Sequence, residues 1–160
     1  MQRLFSLMMV MALCCVAATA WAASGQTRGA LDEAAGRGTL RVGISSFVPW
    51  AMQDKTGKYV GFEVDVATRL AQDLGLELEL IPTRWSGIIP ALLTGKFDVI
   101  ICSLSVTPER ALKVNFSIPY DYAGIEAVAH RKAAAGKTTL EDFNTPETVV
   151  ALRTGSTPVA

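Results

Sequence analysis

The chain has 160 residues, half of them hydrophobic and 19% charged, and its fifteen basic side chains balance fifteen acidic ones. This is the composition of a globular protein, and a balanced charge with no basic stripe argues against a nucleic-acid partner. Beyond the N-terminal stretch, no segment has the unbroken apolar length that a membrane span needs.

At the N-terminus, Gln2 and Arg3 precede an apolar run from Leu4 to Ala20, and Ala20-Trp21-Ala22 comes just before Ala23. A charged start, an apolar centre and an A-x-A site make residues 1–22 a predicted secretory signal, cleaved after Ala22. Cys14 and Cys15 follow Leu13 and Cys14, where a lipoprotein signal places a small residue, so lipid attachment is not expected. Only Cys102 remains in the mature chain. That rules out an internal disulfide there, and one thiol in an apolar strand reads as a packed side chain rather than a nucleophile. The single histidine, His130, has no Cys or His at metal-ligand spacing and no serine or cysteine placed to use it as a base. No metal or cofactor is expected. Residues 23–37 read as an N-terminal extension.

Leu40-Arg41-Val42-Gly43-Ile44 alternates apolar and polar residues, as does a strand with one buried face. Ser45 to Trp50 breaks the pattern, and Asp54-Lys55-Thr56-Gly57-Lys58 has the composition of a hairpin turn leading to Tyr59-Val60-Gly61. Phe62, Val66, Leu70 and Leu74 then recur every four residues, with Glu63 and Asp65 in the first turn and Gly75 at the stop. This predicts an amphipathic helix. Leu76, Leu78 and Leu80 alternate with Glu77 and Glu79 in the next strand, which runs out at Pro82-Thr83-Arg84-Trp85. A shorter helix is predicted from Ser86 as N-cap through Ile88, Ile89, Leu92 and Leu93 to Gly95, with Pro90 near its first turn. Phe97 to Ile101 reads as a strand covered on both faces, and Val149-Val150-Ala151-Leu152 as a further apolar strand. The alternation of strands and helices predicts an α/β sheet.

In open α/β sheets, ligands lie beyond the carboxyl ends of the strands. Three such ends carry hydroxyls or aromatics: Ser45-Ser46-Phe47, Arg84-Trp85-Ser86 and Cys102-Ser103-Leu104-Ser105. They are expected to converge on one edge. At the third, Thr107 suits an N-cap, Pro108 the first helical position and Glu109 the second. Arg110 has the wrong sign for a helix start. A carboxylate held by its guanidinium fork and nearby backbone N–H groups would resolve the conflict; so would pairing with a surface acid, and local sequence leaves both open. Trp85 has an alternative as a core aromatic, and Ser103 and Ser105 as ordinary strand-end hydroxyls. Tyr120, Asp121 and Tyr122 receive no contact.

The segments "GFEVDVATRLAQDLGL", "RWSGIIPALLTGKFDVII" and "SLSVTPER", in this order and spacing, resemble the first lobe of the family 3 extracellular solute-binding proteins, the periplasmic amino-acid receptors of ABC importers. "ALRTGSTPVA" resembles the opening of the second lobe. The resemblance implies a periplasmic-binding-protein fold of two α/β lobes closing on a free amino acid. The first lobe would span residues 38–130, and residues 131–160 would hold the hinge and an incomplete start of the second. It further implies a periplasmic monomer that delivers its ligand to ABC permease subunits. Carried over residue by residue, Arg110 binds the ligand α-carboxylate with help from the Ser105 backbone, and Ser103 faces the ammonium. Trp85 covers the ligand side chain, with Phe47 opposite. Ser156 and Thr157, after Gly155, also grip the carboxylate.

Cys102 stands where many relatives have serine, glycine or alanine. The Ile44-Ser45-Ser46 loop lacks the acid of some basic-amino-acid receptors, so no ligand class follows. The chain stops at Ala160, before the second-lobe carboxylate that usually meets the ammonium, and is expected to be a truncated receptor. The same fold serves a few periplasmic enzymes such as cyclohexadienyl dehydratases, and sensor modules, which stand as the alternative to a receptor. Enzymatic work needs a general acid or base in the cleft. The first lobe offers no histidine near the strand ends and no obvious carboxylate pair, so no enzymatic activity is expected.

Overall fold

Residues 29–157, described by a computed structural model, begin with a helix where an extension was expected: α1, Ala30–Arg37. The Gly29 amide donates to Asp32 Oδ2 (3.0 Å), Asp32 and Glu33 lie in the first turn and Arg37 in the last, and Gly38 closes it in the left-handed conformation (φ 75°). Such end chemistry suits the helix dipole. Strand β1 (Thr39–Ile44) follows, then a small antiparallel hairpin of β2 (Met52–Gln53) and β3 (Tyr59–Val60), and helix α2 (Phe62–Asp73). Strand β4 (Glu77–Pro82), a 3-10 turn (Trp85–Gly87), helix α3 (Ile88–Leu93), strand β5 (Val99–Ile100) and the single-turn helix α4 (Pro108–Ala111) complete the ordered order of elements up to a last 3-10 turn at Glu141–Phe143. The predicted signal peptide, its cleavage site, Cys14 and Cys15 lie outside the described residues.

The main sheet has three parallel strands in the order β4-β1-β5. Pairing of β1 with β4 runs from Thr39 opposite Glu77 to Ile44 opposite Pro82, whereas β5 pairs at Val42–Val99 and Gly43–Ile100. The apolar run 97–101 is therefore strand only at its centre, extended by bonds from the Asp98 amide to the Arg41 carbonyl (2.9 Å) and from the Ile101 amide to the Gly43 carbonyl (3.1 Å). Even-numbered residues of β1, Leu40, Val42 and Ile44, pack with Ala34 of α1 and Ala67 and Ala71 of α2. The opposite face of the sheet is closed by Ile88, Phe97 and Cys102. At Gly43 an added Cβ would come within 2.4 Å of the Phe97 ring, so the missing side chain is what lets that aromatic lie flat on the strand. Both faces being covered, this is the layering of an α/β domain.

Three local expectations are corrected. Only the middle of the stripe Phe62, Val66, Leu70, Leu74 faces the core: Val66 and Leu70 are half-buried and pack against it, Phe62 and Leu74 are exposed, and the fully buried positions of α2 are Glu63, Val64, Ala67 and Ala71. Alanines at the line of contact let the helix approach the sheet closely, and the larger side chains flank it. Ser86 does not cap a helix: it lies in the 3-10 turn, and α3 starts after Gly87. A helix capped at Ser86 would put Pro90 at its fourth position, where an amide should bond the Ser86 carbonyl. Starting at Ile88 leaves Pro90 in the first turn, where no N–H is missed. Lastly, Val149 to Leu152 is not a strand: Val149, Val150 and Leu152 are exposed, and among the described residues no strand pairs with them.

Asp98 ties the layers together. Its carboxylate, 2% exposed, accepts from Arg37 Nη2 (2.6 Å), Arg41 Nη2 (2.8 Å) and the Arg41 amide (2.9 Å). Burial works to raise its pKa, but the hydrogen bonds from Arg41 and Arg37 outweigh it and hold the carboxyl below its ordinary value. A group depressed in the folded state stabilises fully above its unfolded pKa, about 3.9 for aspartate, and loses that contribution as the pH falls through the lower native value. Asp98→Asn is expected to lower stability by about 1.5–3 kcal/mol at neutral pH; the gap from wild type should narrow progressively as the pH falls below the ordinary aspartate value, which a series of urea unfolding curves from neutral pH into acid measures. Cys102 is 2% exposed, and burial, with the charge of the buried Glu63 adding, pushes its thiol to about 12. It should stay unreactive toward a disulfide reagent at mildly alkaline pH and titrate fully only on unfolding.

Candidate ligand-binding site

Because the three strands run parallel, their carboxyl ends meet at one edge, as expected from the sequence. A cleft of about 580 Å³ opens there. Ser45 and Ser46 line it from the end of β1, Thr83, Arg84 and Trp85 from the end of β4, and Arg153 and Thr154 from the tail of the chain. The Thr83 amide donates to the Ile44 carbonyl (2.8 Å), which continues the β1–β4 ladder into the cleft floor. Cys102 to Ser105, beyond β5, does not line the cleft directly. It is joined to it through Arg110.

Thr107 caps α4 as predicted: its Oγ1 accepts from the Arg110 amide (3.3 Å), with Pro108 at the start of the helix. The short helix turns the Arg110 side chain back toward the strand ends. There its Nη1 donates to the Ser105 carbonyl (2.8 Å) and its Nη2 to the Gly155 carbonyl (2.9 Å), with its guanidinium carbon 5.7 Å from the Trp85 ring centre. No carboxylate pairs with it among the described residues. The surface-acid alternative is therefore not what the structure shows. Trp85 is half-buried: it packs against the core cluster of Ile88, Phe97 and Cys102 and also lines the cleft, where its Nε1 donates to the same Gly155 carbonyl (2.9 Å).

Phe47 is 44% exposed and stacks on Trp50 (5.2 Å between ring centres, 16° between planes). Ser103 has a different partner from the one expected: its hydroxyl donates to Glu63 Oε1, and Tyr120 donates to Glu63 Oε2 (2.6 Å). Both oxygens of this buried carboxylate are thus satisfied, a requirement for a charge out of water. Burial, then the bond to Glu63, raise the Tyr120 pKa. Tyr120 was assigned no contact from sequence, and Glu63 only a place in a helix first turn; neither position betrays a partner about 40 or 57 residues away. Ser156 and Thr157 are half-buried, and the Ser156 amide donates to the Arg153 carbonyl (2.9 Å); neither side chain bonds a cleft residue among the described residues.

Arg153 is the site residue that sequence reasoning missed. Its guanidinium carbon lies 4.5 Å from the Trp85 ring centre and 5.9 Å from that of Phe47, both within cation–π range. Its Nη2 donates to Ser45 Oγ (2.7 Å) and, at 3.4 Å, to the Ser46 carbonyl. The available signal was a single cation between the apolar run 149–152 and the Gly155 turn. Arg84 and Arg153 line the cleft and Arg110 lies beside it against Trp85, which makes the cleft cationic, and hydroxyls and an indole supply the rest of its chemistry. That set can bind an anion by charge-assisted hydrogen bonds. None of the lining residues is a carboxylate or a histidine.

Residues 40–157 match the bacterial extracellular solute-binding proteins, family 3. The chain is 36% identical over 150 residues to the L-cystine-binding protein TcyJ of Escherichia coli K12, covering 93% of this chain and 56% of that protein. It is 32% identical over 150 residues to the cyclohexadienyl dehydratase of Pseudomonas aeruginosa, with the same coverage of each. Among solved structures, the arginine-bound form of domain 1 from TmArgBP is similar at 47% identity and a TM-score of 0.54, over 56% of this chain and 71% of that one. The chain thus spans about half the length of the curated relatives it matches. A match through nearly every described strand and helix, carried by a parallel sheet with its cleft at the strand ends, makes the chain a member of the family 3 bacterial extracellular solute-binding proteins.

Proposed function

We propose that the protein is the substrate-binding component of an ABC importer, exported to the periplasm, and that it takes up a free amino acid in the strand-end cleft. Its partners are then the amino acid and the permease subunits that accept it. The observation that carries this reading is Arg110, a guanidinium fixed at the cleft by two backbone carbonyls and lacking an acidic partner among the described residues. A guanidinium has five N–H groups, so three remain to receive an α-carboxylate. Trp85, next to it and already oriented through Gly155, covers the ligand side chain, with Phe47 on the other side. Ser156 and Thr157 add their turn to the carboxylate grip once a second lobe closes. In this reading residues 38–130 form the first lobe, and 131–160 the hinge and the opening of the second. Support comes from TcyJ, named for binding L-cystine, and from domain 1 of TmArgBP, whose arginine-bound structure is that of a single domain.

The cyclohexadienyl dehydratase relative keeps an enzymatic reading in view, since it matches over the same share of the chain. Dehydration needs a positioned acid or base. The cleft lining has arginines, hydroxyls and Trp85 but no group that exchanges a proton near neutral pH. Incubation with prephenate or arogenate should therefore give no product; turnover dependent on the folded chain would establish the enzyme instead.

For binding, Arg110→Ala is expected to weaken affinity at least about tenfold, the effect of losing one charge-assisted hydrogen bond of about 1.5–3 kcal/mol. Arg110→Lys should restore little, because an ammonium lacks the fork. Titration calorimetry of both variants, with circular dichroism to verify the fold, decides the point: unchanged affinity in both removes Arg110 from the site. Indole fluorescence should respond to the bound amino acid in the wild type, and Trp85→Ala should both lose that response and bind more weakly.

A further inference from the structure

Arg153 carries a second charge that an ordinary amino acid does not answer. We propose that the ligand bears two carboxylates, one on Arg110 and one on Arg153, and that Arg153 is the residue that selects for the second. The inference rests on the reading of the cleft as a small-molecule site with Arg110 at one carboxylate, and adds the class of ligand. Arg153 and Arg110 both lie against the one Trp85 ring, at 4.5 and 5.7 Å from its centre, so their guanidinium carbons are no more than about 10 Å apart. Each is half-buried, and each has N–H groups to give. Arg153 uses only Nη2, toward Ser45 Oγ and the Ser46 carbonyl, leaving Nε–H and both protons of Nη1.

Neither guanidinium forms an ion pair among the described residues. Arg84 lines the cleft together with Arg153, and no acid is present in the lining. Glu63, close enough to Cys102 to act on the same thiol as the two arginines, has both oxygens taken by Ser103 and Tyr120 and is 2% exposed. A cationic cluster left half out of water is stabilised by whatever anion enters it. A neutral amino acid answers Arg110 alone. One with a cationic side chain lying along Trp85 sets like charge against Arg153. A side-chain carboxylate on a short stem reaches Arg153 instead, and a four- or five-carbon amino dicarboxylate has the length to do so. Ser45, 3% exposed and bonded to Arg153, fixes that guanidinium in place before the ligand arrives.

The test is calorimetric titration of the full chain with the twenty amino acids, L-cystine and glutarate, with L-aspartate, L-glutamate, L-glutamine and L-arginine repeated on Arg153→Gln and Arg153→Lys. Glutamate or aspartate should bind at least about tenfold more tightly than glutamine or arginine, the effect of one charge-assisted contact. Arg153→Gln should bring the glutamate-to-glutamine ratio close to one, and Arg153→Lys should keep part of the preference. A purely structural role for Arg153 would weaken all ligands together and leave that ratio intact, which overturns the proposal. Glutarate binding as tightly as glutamate keeps the two-carboxylate inference and removes the amino group from recognition. Glutamine or arginine binding as well as glutamate, or any other of the twenty amino acids binding while the acidic ones do not, overturns the inference but leaves the amino-acid receptor standing. Failure of every ligand with a folded chain overturns both.

Discussion

The pairing of Arg41 with Asp98 is the contact on which the arrangement of the strands depends. The Asp98 amide donates to the Arg41 carbonyl while the Arg41 amide and guanidinium donate to the Asp98 carboxylate, so backbone and side chain specify the same register. Arg37 joins from the end of α1, so α1, β1 and the start of β5 are held by one buried charge. A buried carboxylate tolerates removal from water only when its oxygens are fully met by donors. Any slip of β5 along β1 would leave it unmet, and such a slip would also drive the Phe97 ring off Gly43, the one position on β1 with room for it. From that register follow the place at which β5 ends, the start of α4 two turns of chain later, and the point at which Arg110 meets Trp85.

Polar groups at the strand ends fall into two kinds, and the distinction explains what each can do. Glu63 is wholly buried and wholly satisfied by Ser103 and Tyr120, so it joins the helix α2 start to the Cys102–Ser105 segment and to the chain leading away from the sheet. At 2% exposure it offers a ligand no surface. Gly61 supports the same corner: its positive φ of 123° and the absence of a Cβ let the Trp50 carbonyl come close enough to accept from the Glu63 amide (3.0 Å). Arg110 and Arg153 are only half-buried and bond mainly to neutral oxygens, which orient a guanidinium without cancelling its charge. Orientation without neutralisation is what an anion site needs.

Gly155 is the meeting point of the sheet and the tail. Its carbonyl accepts from both Trp85 and Arg110, and its left-handed conformation (φ 74°) turns the chain so that Arg153, two residues earlier, enters the cleft from the other side. Residues 153–155 are thereby seated on the strand ends even though the apolar stretch before them, Val149 to Leu152, is exposed and unpaired. Rigid sheet below and bonded loop residues above is the usual division of labour in α/β binding sites, where the scaffold supplies position and the loops supply chemistry.

Much of the scaffold was legible in the sequence because it is written in contacts a few residues apart. The alternation in Leu40–Ile44 and Leu76–Leu80, the Thr107-Pro108 start of α4, and the Gly75 stop after α2 all depend on neighbours within a turn or a pleat, and the structure has each of them. The ends of α1 are equally written in Asp32, Glu33, Arg37 and Gly38, but its single buried residue, Ala34, gives it a weak apolar stripe. Where two local rules competed, at Ser86 and Pro90, tertiary packing and the missing proline amide decided. Arg110 stood out on its own by its sign at a helix start, and the structure places its side chain at the strand ends beside Trp85. What remained hidden was every partner far away in sequence: Glu63 with Tyr120, Asp98 with Arg37, Trp85 with Gly155, and Arg153 with Ser45. A side chain's charge is visible in one dimension, but the oxygen it meets is chosen by the folding of the sheet, which alone brings positions some 57 to 108 residues apart within 3 Å of each other.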